Sequence, residues 1–415
     1  MLNSISAKKT NNGPLSGVRV LDLSRILAGP TCTQLLGDMG ADIIKIEKPV
    51  AGDDTRSWGP PFVLDKDNQP TDQSAYYLCA NRNKRSLSVD ISSLEGRAII
   101  HDLLNTCDIL VENFKVGGLK KYGLDYASLK IAYPELIYCS ITGFGQTGPN
   151  AQRPGYDLLA QGFGGIMSLT GEAEGEPMKV GVGICDVMTG MYANSAVLAA
   201  LFYRQNGGTG QQIDIALVDV QTAWLVNEGT NYLLSGHEPE RRGNAHPNIV
   251  PYQVFSVSDG HVIVAVGNDP QFQRFCNIVN RPELAKDTRF KTNSLRLEHR
   301  QQLIDILTVI MRKQVKQDLI ESMEKHGIPS GPINTVAELF ASDQVVAREM
   351  KITMPYPSAN SGTVDLIGNP IKFSKTPIEY RHAPPKCGEH DSEILAEINQ
   401  HSGFVSATQK PLKSD

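Results

Sequence analysis

Paired cysteines are missing from this chain. Seven are scattered through 415 residues, an odd number with no CxxC spacing. Neither a disulfide scaffold nor a zinc site with ordinary ligand spacing is expected. A basic excess is missing too: 40 Lys and Arg stand against 45 Asp and Glu, a net charge of −5. That removes the usual footprint of a nucleic-acid binder. Long apolar runs are lacking. The longest, Ala196–Phe202, has seven residues, against the ~20 that cross a bilayer, so no membrane span is expected. The first fourteen residues, MLNSISAKKTNNGP, contain neither an apolar stretch nor an arginine, so no leader is legible there. The location expected is the cytoplasm, or the mitochondrial matrix had a leader been removed. There is no GxxxxGK[ST], no GxSxG and no HExxH, and the nine histidines are dispersed. A phosphate loop, a serine-hydrolase elbow and a bound metal are therefore not expected.

What is present is an alternation. Val18–Leu23 reads as a buried strand, Pro30–Met39 as a helix and Asp42–Glu47 as a second strand, a short βαβ unit. Ser86–Ile91 follows as a strand. Ser92 and Glu95 read as a capping box for a helix over Gly96–Cys107. Asp108–Phe114 and Leu136–Thr142 read as further strands, which argues for a doubly wound, mostly parallel α/β sheet. Helices are expected over Asp157–Leu169 and Val187–Gln205, a strand over Gln212–Val218, and a helix from about Asp219 to Leu234. The polar stretch 235–251 reads as a linker. Beyond it Tyr252–Val257 and His261–Val266 flank Ser258-Asp259-Gly260, a hairpin signal that opens a smaller α+β domain over 252–340. Residues 341–400 are expected to return to the large domain (15–234), with flexible tails at 1–14 and 401–415.

Gly143–Gly148 matches GxGxxG after a strand, but Pro149 and Pro154 stand where a helix should open. A dinucleotide site is disfavoured, and a turn lining a pocket is the plainer reading. Three glycine-bearing loops, at Ala28–Pro30, Gly143–Gly148 and Val180–Gly183, follow strand-like segments, where bare amides could hold a phosphate or an oxyanion. Asn81-Arg82-Asn83-Lys84-Arg85 places three cations in four positions, suited to an anionic ligand or to a solvated turn. Asp186 precedes the long apolar helix. It reads as an N-cap, as a carboxylate nucleophile, or as both, since a cap position favours the ionised form.

The run LSGVRVLDLSRILAGPTCTQLLGDMGADIIKIEKPVAGDDTR resembles the opening of the family III CoA-transferases. So do NRNKRSLSVDI, DILVENFKVGGLKKYGLDY, LIYCSITGFGQTGP, GVGICDVMTGMYA, GNAHPNIVPYQ and HGIPSGPINTV. The resemblance covers Leu15 to Asn399. It implies a Rossmann-like large domain built from both chain ends, a smaller domain from the middle, and two chains interlinked as a homodimer. Within the family, GDDTRSWGPPF and RRGNAHPNIVPYQVF are most similar to the branch that exchanges CoA between succinyl-CoA and glutarate. The implied activity is transfer of CoA from an acyl-CoA to a small carboxylic acid through a covalent aspartyl intermediate on Asp186. No resident cofactor is implied, the CoA thioester being substrate.

By the same resemblance, the CoA contacts fall on Ile26, Leu27, Ala28, Lys48, Asn81, Arg82, Arg85, Asn113, Lys121 and Phe144. For the acceptor acid, Arg82 is the first candidate for its distal carboxylate, with Arg25 and His246 next; Trp58 and Tyr156 would wall the acyl pocket. Other acids (oxalate, carnitine, a branched acid), a racemase and a non-catalytic acyl-CoA binder are the alternatives. The glycine run of the formyl-CoA enzymes is replaced by Val266-Gly267-Asn268-Asp269-Pro270, against oxalate. The racemase branch has a histidine where Tyr156 stands, and a tyrosine phenol, titrating near ~10, suits a two-base proton exchange poorly.

Overall fold

The computed structural model of the chain describes residues 13–408. It divides into two units. One comprises the chain up to Gly164, Gly181–Trp224 and everything from Val346; the other comprises Gly165–Val180 and Leu225–Val345. The smaller unit is thus inserted into the sequence of the larger.

The larger unit is built on six parallel strands: β1 (Arg19–Asp22), β2 (Asp42–Glu47), β3 (Lys84–Ser88), β4 (Ile109–Glu112), β5 (Ile137–Thr142) and β6 (Gln212–Ala216). Their order is β3-β2-β1-β4-β5-β6. β4 and β5 are buried throughout, and strands buried on both faces need helices on both sides. Those used below are α1 (Ala28–Asp38), α2 (Leu94–Leu104), α3 (Asp157–Phe163) and α4 (Ile184–Gln205). Val20 of β1 faces a core containing Cys32 and Leu36 of α1 and Ala193, Val197 and Leu201 of α4. Its neighbour Leu21 points the other way, to Ile100 and Leu103 of α2 and Ile394 near the C-terminus, as the two-residue strand period requires. α4 is long and apolar enough to cross a membrane by length and composition, yet here its apolar stripe is that core. α1 and α4 meet at Gly190, where a Cβ would lie 2.6 Å from the Ala28 carbonyl oxygen. This close crossing sets the start of α1 against the first turns of α4.

The sheet's β3 edge is covered by the returning chain. His390 donates its amide to the Ser86 carbonyl at 3.0 Å and its Nδ1 accepts from the Ser86 amide at 3.2 Å. Asp391 accepts from the Ser88 amide at 2.8 Å. Arg85 adds ion pairs to Glu393 and Glu397, both at 2.8 Å.

In the smaller unit Tyr252–Val257 and Gly260–Ala265 form the expected antiparallel hairpin, with Ser330–Pro332 on its outer side. Its core gathers Phe272, Phe275, Leu303, Leu307 and Met323 under that sheet.

Several element bounds differ from the sequence reading. Ser93, not Ser92, caps α2, accepting from the Gly96 amide at 2.9 Å, while the Ser92 hydroxyl donates to Asp90. The helix expected over Asp157–Leu169 is two, Asp157–Phe163 and Ile166–Leu169, broken where Gly165 adopts φ 86°. The helix expected from Asp219 is two, Leu217–Ala223 and Val226–Ser235. α4 starts at Ile184, so Asp186 is the third residue of its first turn and Gly183 is the cap. Of the expected tails, 1–12 and 409–415 lie outside the described residues; a helix, Asp391–Thr408, runs on through 401.

Candidate active site

The strand order turns back between β1 and β4, and the crevice at the carboxyl ends of such a pair is where open α/β sheets bind ligands. The loops leaving β1 (Ser24–Leu27), β4 (from Asn113) and β5 (from Gly143) surround a cavity of about 730 Å³ there. Two loops are clipped together: the Arg25 amide donates to Asn113 Oδ1 at 2.9 Å, and Asn113 Nδ2 donates to the Arg25 carbonyl at 2.7 Å. The third is folded back by a glycine pair. A Cβ on Gly155 would lie 2.2 Å from the Gly143 Cα, so only glycine allows Ala151–Tyr156 to line the cavity.

Asp186 lines this cavity and is 9% exposed. Burial, and then the charge of Asp157, pushes its carboxyl up to about 7. The sequence reading expected the helix start to favour the ionised form. The physical reason it does not is that Asp157 takes the amides: its Oδ1 accepts from Cys185 at 2.8 Å and from Asp186 at 3.3 Å. Asp157 itself is steadied by Gln161 Nε2 at 2.6 Å. Asp186 is left facing the cavity with its desolvation uncompensated. The neighbouring Cys185 does not compete as a nucleophile, since burial and the two carboxylates push its thiol up to about 12, and its Sγ lies 2.8 Å from Gln221 Oε1. Burial and the field of Asp186 push the Tyr76 phenol up to about 12. Tyr76 stands edge-on to Trp58 with ring centroids 5.2 Å apart.

Four cations line the same cavity, Arg25, Lys115, Lys121 and Arg153. Among the described residues that line it, Asp186 is the one carboxylate. Arg25 is half-exposed and pairs with Asp54 at 2.5 Å. Arg153 lies over the rings of Phe144 and Phe163 at 4.9 and 5.8 Å, rings that themselves meet edge-on.

The loop after β1 is held at every residue. Asp22 accepts from the Ser24 amide at 2.9 Å, and Lys45 Nζ donates to the Ser24 carbonyl at 3.0 Å. Ile26 has φ 71°, a conformation costing a β-branched residue about 1–3 kcal/mol. Its amide points at Asp53, 3.3 Å from each carboxylate oxygen. α1 then begins at Ala28 with no side-chain cap, leaving its first amides for a ligand.

The structure brings Ile26, Leu27, Ala28, Asn113, Lys121, Arg25, Tyr156 and Asp186 together around the cavity. Phe144 stacks under the cavity's Arg153. The remaining residues are not among those that line the cavity. Arg82 is 4% exposed and its fork is spent on Asp38, Nε at 2.9 Å and Nη2 at 2.5 Å, with Nη1 on the Ile367 carbonyl. Arg85 is spent on Asp42, Glu393 and Glu397. Asn81 is fully buried, donating to the Tyr77 carbonyl and accepting from Lys84. An anionic ligand would reach Arg82, Arg85 or Asn81 only by breaking an ion pair or hydrogen bond that each makes in this structure. Lys48 is exposed beyond the end of β2 and does not line the cavity. His246 belongs to the smaller unit, where its Nδ1 accepts from the Asn248 amide and its ring packs on Tyr252. Sequence reasoning missed Lys115, Arg153, Asp157 and the Asp53–Lys45 pair. Asp157 is next to Tyr156, and Lys115 is two residues from Asn113, both already singled out.

A family profile described as CoA-transferase family III matches residues 15–391. A succinate–glutarate CoA-transferase of Agrobacterium fabrum is 50% identical over 386 residues, 93% of this chain and 96% of that protein. A succinyl-CoA:glutarate CoA-transferase of Homo sapiens is 42% identical over 388 residues, 94% of this chain and 86% of that protein. Among solved structures, a CAIB/BAIF family protein from Brucella suis superposes with a TM-score of 0.81 at 49% identity, covering 93% of this chain and all of that one.

Proposed function

The chain belongs to CoA-transferase family III and is a CoA-transferase, and we propose that it moves CoA from succinyl-CoA to glutarate or a similar dicarboxylate through a covalent intermediate on Asp186. The observation that carries this reading is the single carboxylate, Asp186, in a cavity otherwise charged by Arg25, Lys115, Lys121 and Arg153. The cations suit the phosphates of CoA. The carboxylate, buried and raised to about 7, is more basic than a solvated one and so a better nucleophile.

The exchange swaps one thioester for another and needs no net proton transfer. An ionised Asp186 oxygen attacks the acyl carbon of the donor. The carbon–sulfur bond breaks, leaving a mixed anhydride and CoA thiolate. The thiolate attacks the aspartyl carbonyl, expels the donor acid as carboxylate and forms an aspartyl–CoA thioester. The acceptor carboxylate attacks that thioester and releases the thiolate, which then takes the acceptor acyl group and frees Asp186. Holding the reactants beside a fixed carboxylate supplies effective concentration, and the covalent steps divide one barrier into several. The uncapped start of α1 offers amides to the tetrahedral oxyanions.

With Arg82 occupied, Arg25 and Arg153 are the forks in the cavity that fit a distal carboxylate. The succinyl and glutaryl assignment is supported by the names of the relatives at 42–50% identity. Outward-facing Met191, Tyr192, Phe202 and Tyr203 on α4, with Leu158, Leu159 and Phe163 on α3, suit a second copy of the chain; sedimentation at equilibrium tests the dimer. The seven free thiols suit a reducing compartment, cytoplasm or mitochondrial matrix, which cell fractionation tests.

The deciding experiment incubates the protein with succinyl-CoA and a panel of acids. Glutaryl-CoA formation, with an adduct on the Asp186 peptide that Asp186→Ala abolishes, is the expected result. Turnover that persists in Asp186→Ala overturns the mechanism, and no product with glutarate but product with another acid overturns the acceptor.

A further inference from the structure

We infer that Asp53, braced by Lys45, is a positioning residue that fixes the loop after β1 in its working form by restraining Ile26. The inference rests on the reading above that the cavity takes an acyl-CoA. Neither residue lines the cavity, and Asp53 and Lys45 are 1% and 0% exposed. Neither can touch a ligand, so any effect on the reaction passes through the loop.

The connection is direct. The Asp53 carboxylate has its full set of donors: Thr55 amide and hydroxyl on Oδ1 at 3.0 and 2.7 Å, Lys45 Nζ on Oδ2 at 2.8 Å, and the Ile26 amide on both. Its own amide is fixed by Glu47 at 2.8 Å. Lys45 reaches past it to the Ser24 carbonyl, so the buried pair holds the loop on both sides of Arg25. Ile26 needs such a hold, because φ 71° is unfavourable for a β-branched residue and relaxation to negative φ would turn the peptide leading into Leu27 and Ala28. Those two residues line the cavity and begin α1, whose start lies against the helix carrying Asp186. The same carboxylate caps the short turn Asp54–Ser57 through the Thr55 amide, and the Ile26 amide is its direct link to the cavity loop. Restraint of this kind is worth most where a small misplacement separates the reacting atoms.

A kinetic double-mutant cycle tests it. Glycine takes φ 71° without strain, so Ile26→Gly removes the need for restraint. Asp53→Asn is expected to lower kcat by about tenfold or more in the wild-type background, with a smaller change in KM for acyl-CoA, and by about threefold or less beside Ile26→Gly. Equal losses in both backgrounds, or a lowered melting temperature with kcat and KM unchanged, overturn the inference. Should Asp53→Asn not fold, with Lys45 left unpaired, Thr55→Val removes one hydrogen bond to the same carboxylate and goes through the same cycle with the same two readings. Wild-type protein that neither transfers CoA nor labels at Asp186 refutes the underlying reading; active wild type without coupling refutes this inference alone.

Discussion

Asp157 Oδ1 accepts from the amide of Cys185 at 2.8 Å and from that of Asp186 at 3.3 Å, and so holds the helix end beside which the Asp186 carboxyl stands. One carboxylate takes the stabilising amides; the other is left buried, beside a like charge and open to the cavity. The arrangement separates an inert anchor from a basic, reactive group.

The first consequence is a pH limb. Only ionised Asp186 can attack a thioester, so kcat/KM is expected to rise with pH through about 7 and level off above it. Glu112, at the end of β4, is also pushed up to about 7 by burial, and it accepts from the Phe114 amide at 2.8 Å. Glu112→Gln keeps an acceptor for that amide and should leave the limb in place. A limb that vanishes in Glu112→Gln would reassign it.

Stability should move the opposite way with pH. A carboxyl whose folded pKa is about 7 against 3.8 unfolded binds its proton more tightly when folded. Its stabilising contribution is complete below about 3.8 and is lost as the pH rises through 7. Asp186→Asn, which never ionises, is therefore expected to be more stable than wild type at pH 8, on the order of 2–4 kcal/mol, with the gap closing toward acid. Denaturant titrations at several pH values check the sign. The same variant should lose transfer activity.

Asp157→Asn removes the like charge while keeping an oxygen for the Cys185 amide. The acid limb should shift toward lower pH, though not to the range of a solvated aspartate, because burial is the larger cause. A pH–rate profile unchanged from wild type would show that Asp157 does not tune Asp186.

Arg82 and Lys121 should separate cleanly. Arg82→Ala leaves Asp38 buried without its main partner, a loss of roughly 3–5 kcal/mol, yet the protein that folds should keep its KM for acyl-CoA. Lys121→Ala should instead raise that KM and flatten its dependence on salt, with little change in melting temperature. Matched thermal and kinetic measurements on the two variants decide it.

The sheet strands, the turn at Ala28–Pro30 and Asp186 were legible because each follows from a local pattern: a short apolar run, a glycine turn behind it, an acid at the start of an apolar helix. Ile26, Leu27 and Asn113 came from the family resemblance. The fate of Asn81, Arg82 and Arg85 was not. A cation beside a strand looks the same whether it awaits a phosphate or is already paired, and the partners lie far off, Asp38 44 residues from Arg82 and Glu393 308 from Arg85. The tuning of Asp186 was hidden for the same reason, since Asp157 is 28 residues from the amide it takes. Lys115 and Arg153 gave no pattern, being single cations in turns that only the fold brings together.

The strip Gly388–Asp391 along β3 carries a consequence for biogenesis. A ribosome delivers all of Leu225–Val345 before it delivers that strip, so the inserted unit can be finished while the outer strand of the larger sheet still has open amides. An open edge of this kind is a template for other chains. Shortening the protein by some thirty residues, or stalling translation there, should yield aggregates rather than a weakened enzyme, and the nascent chain should lean on chaperones until its last helix emerges.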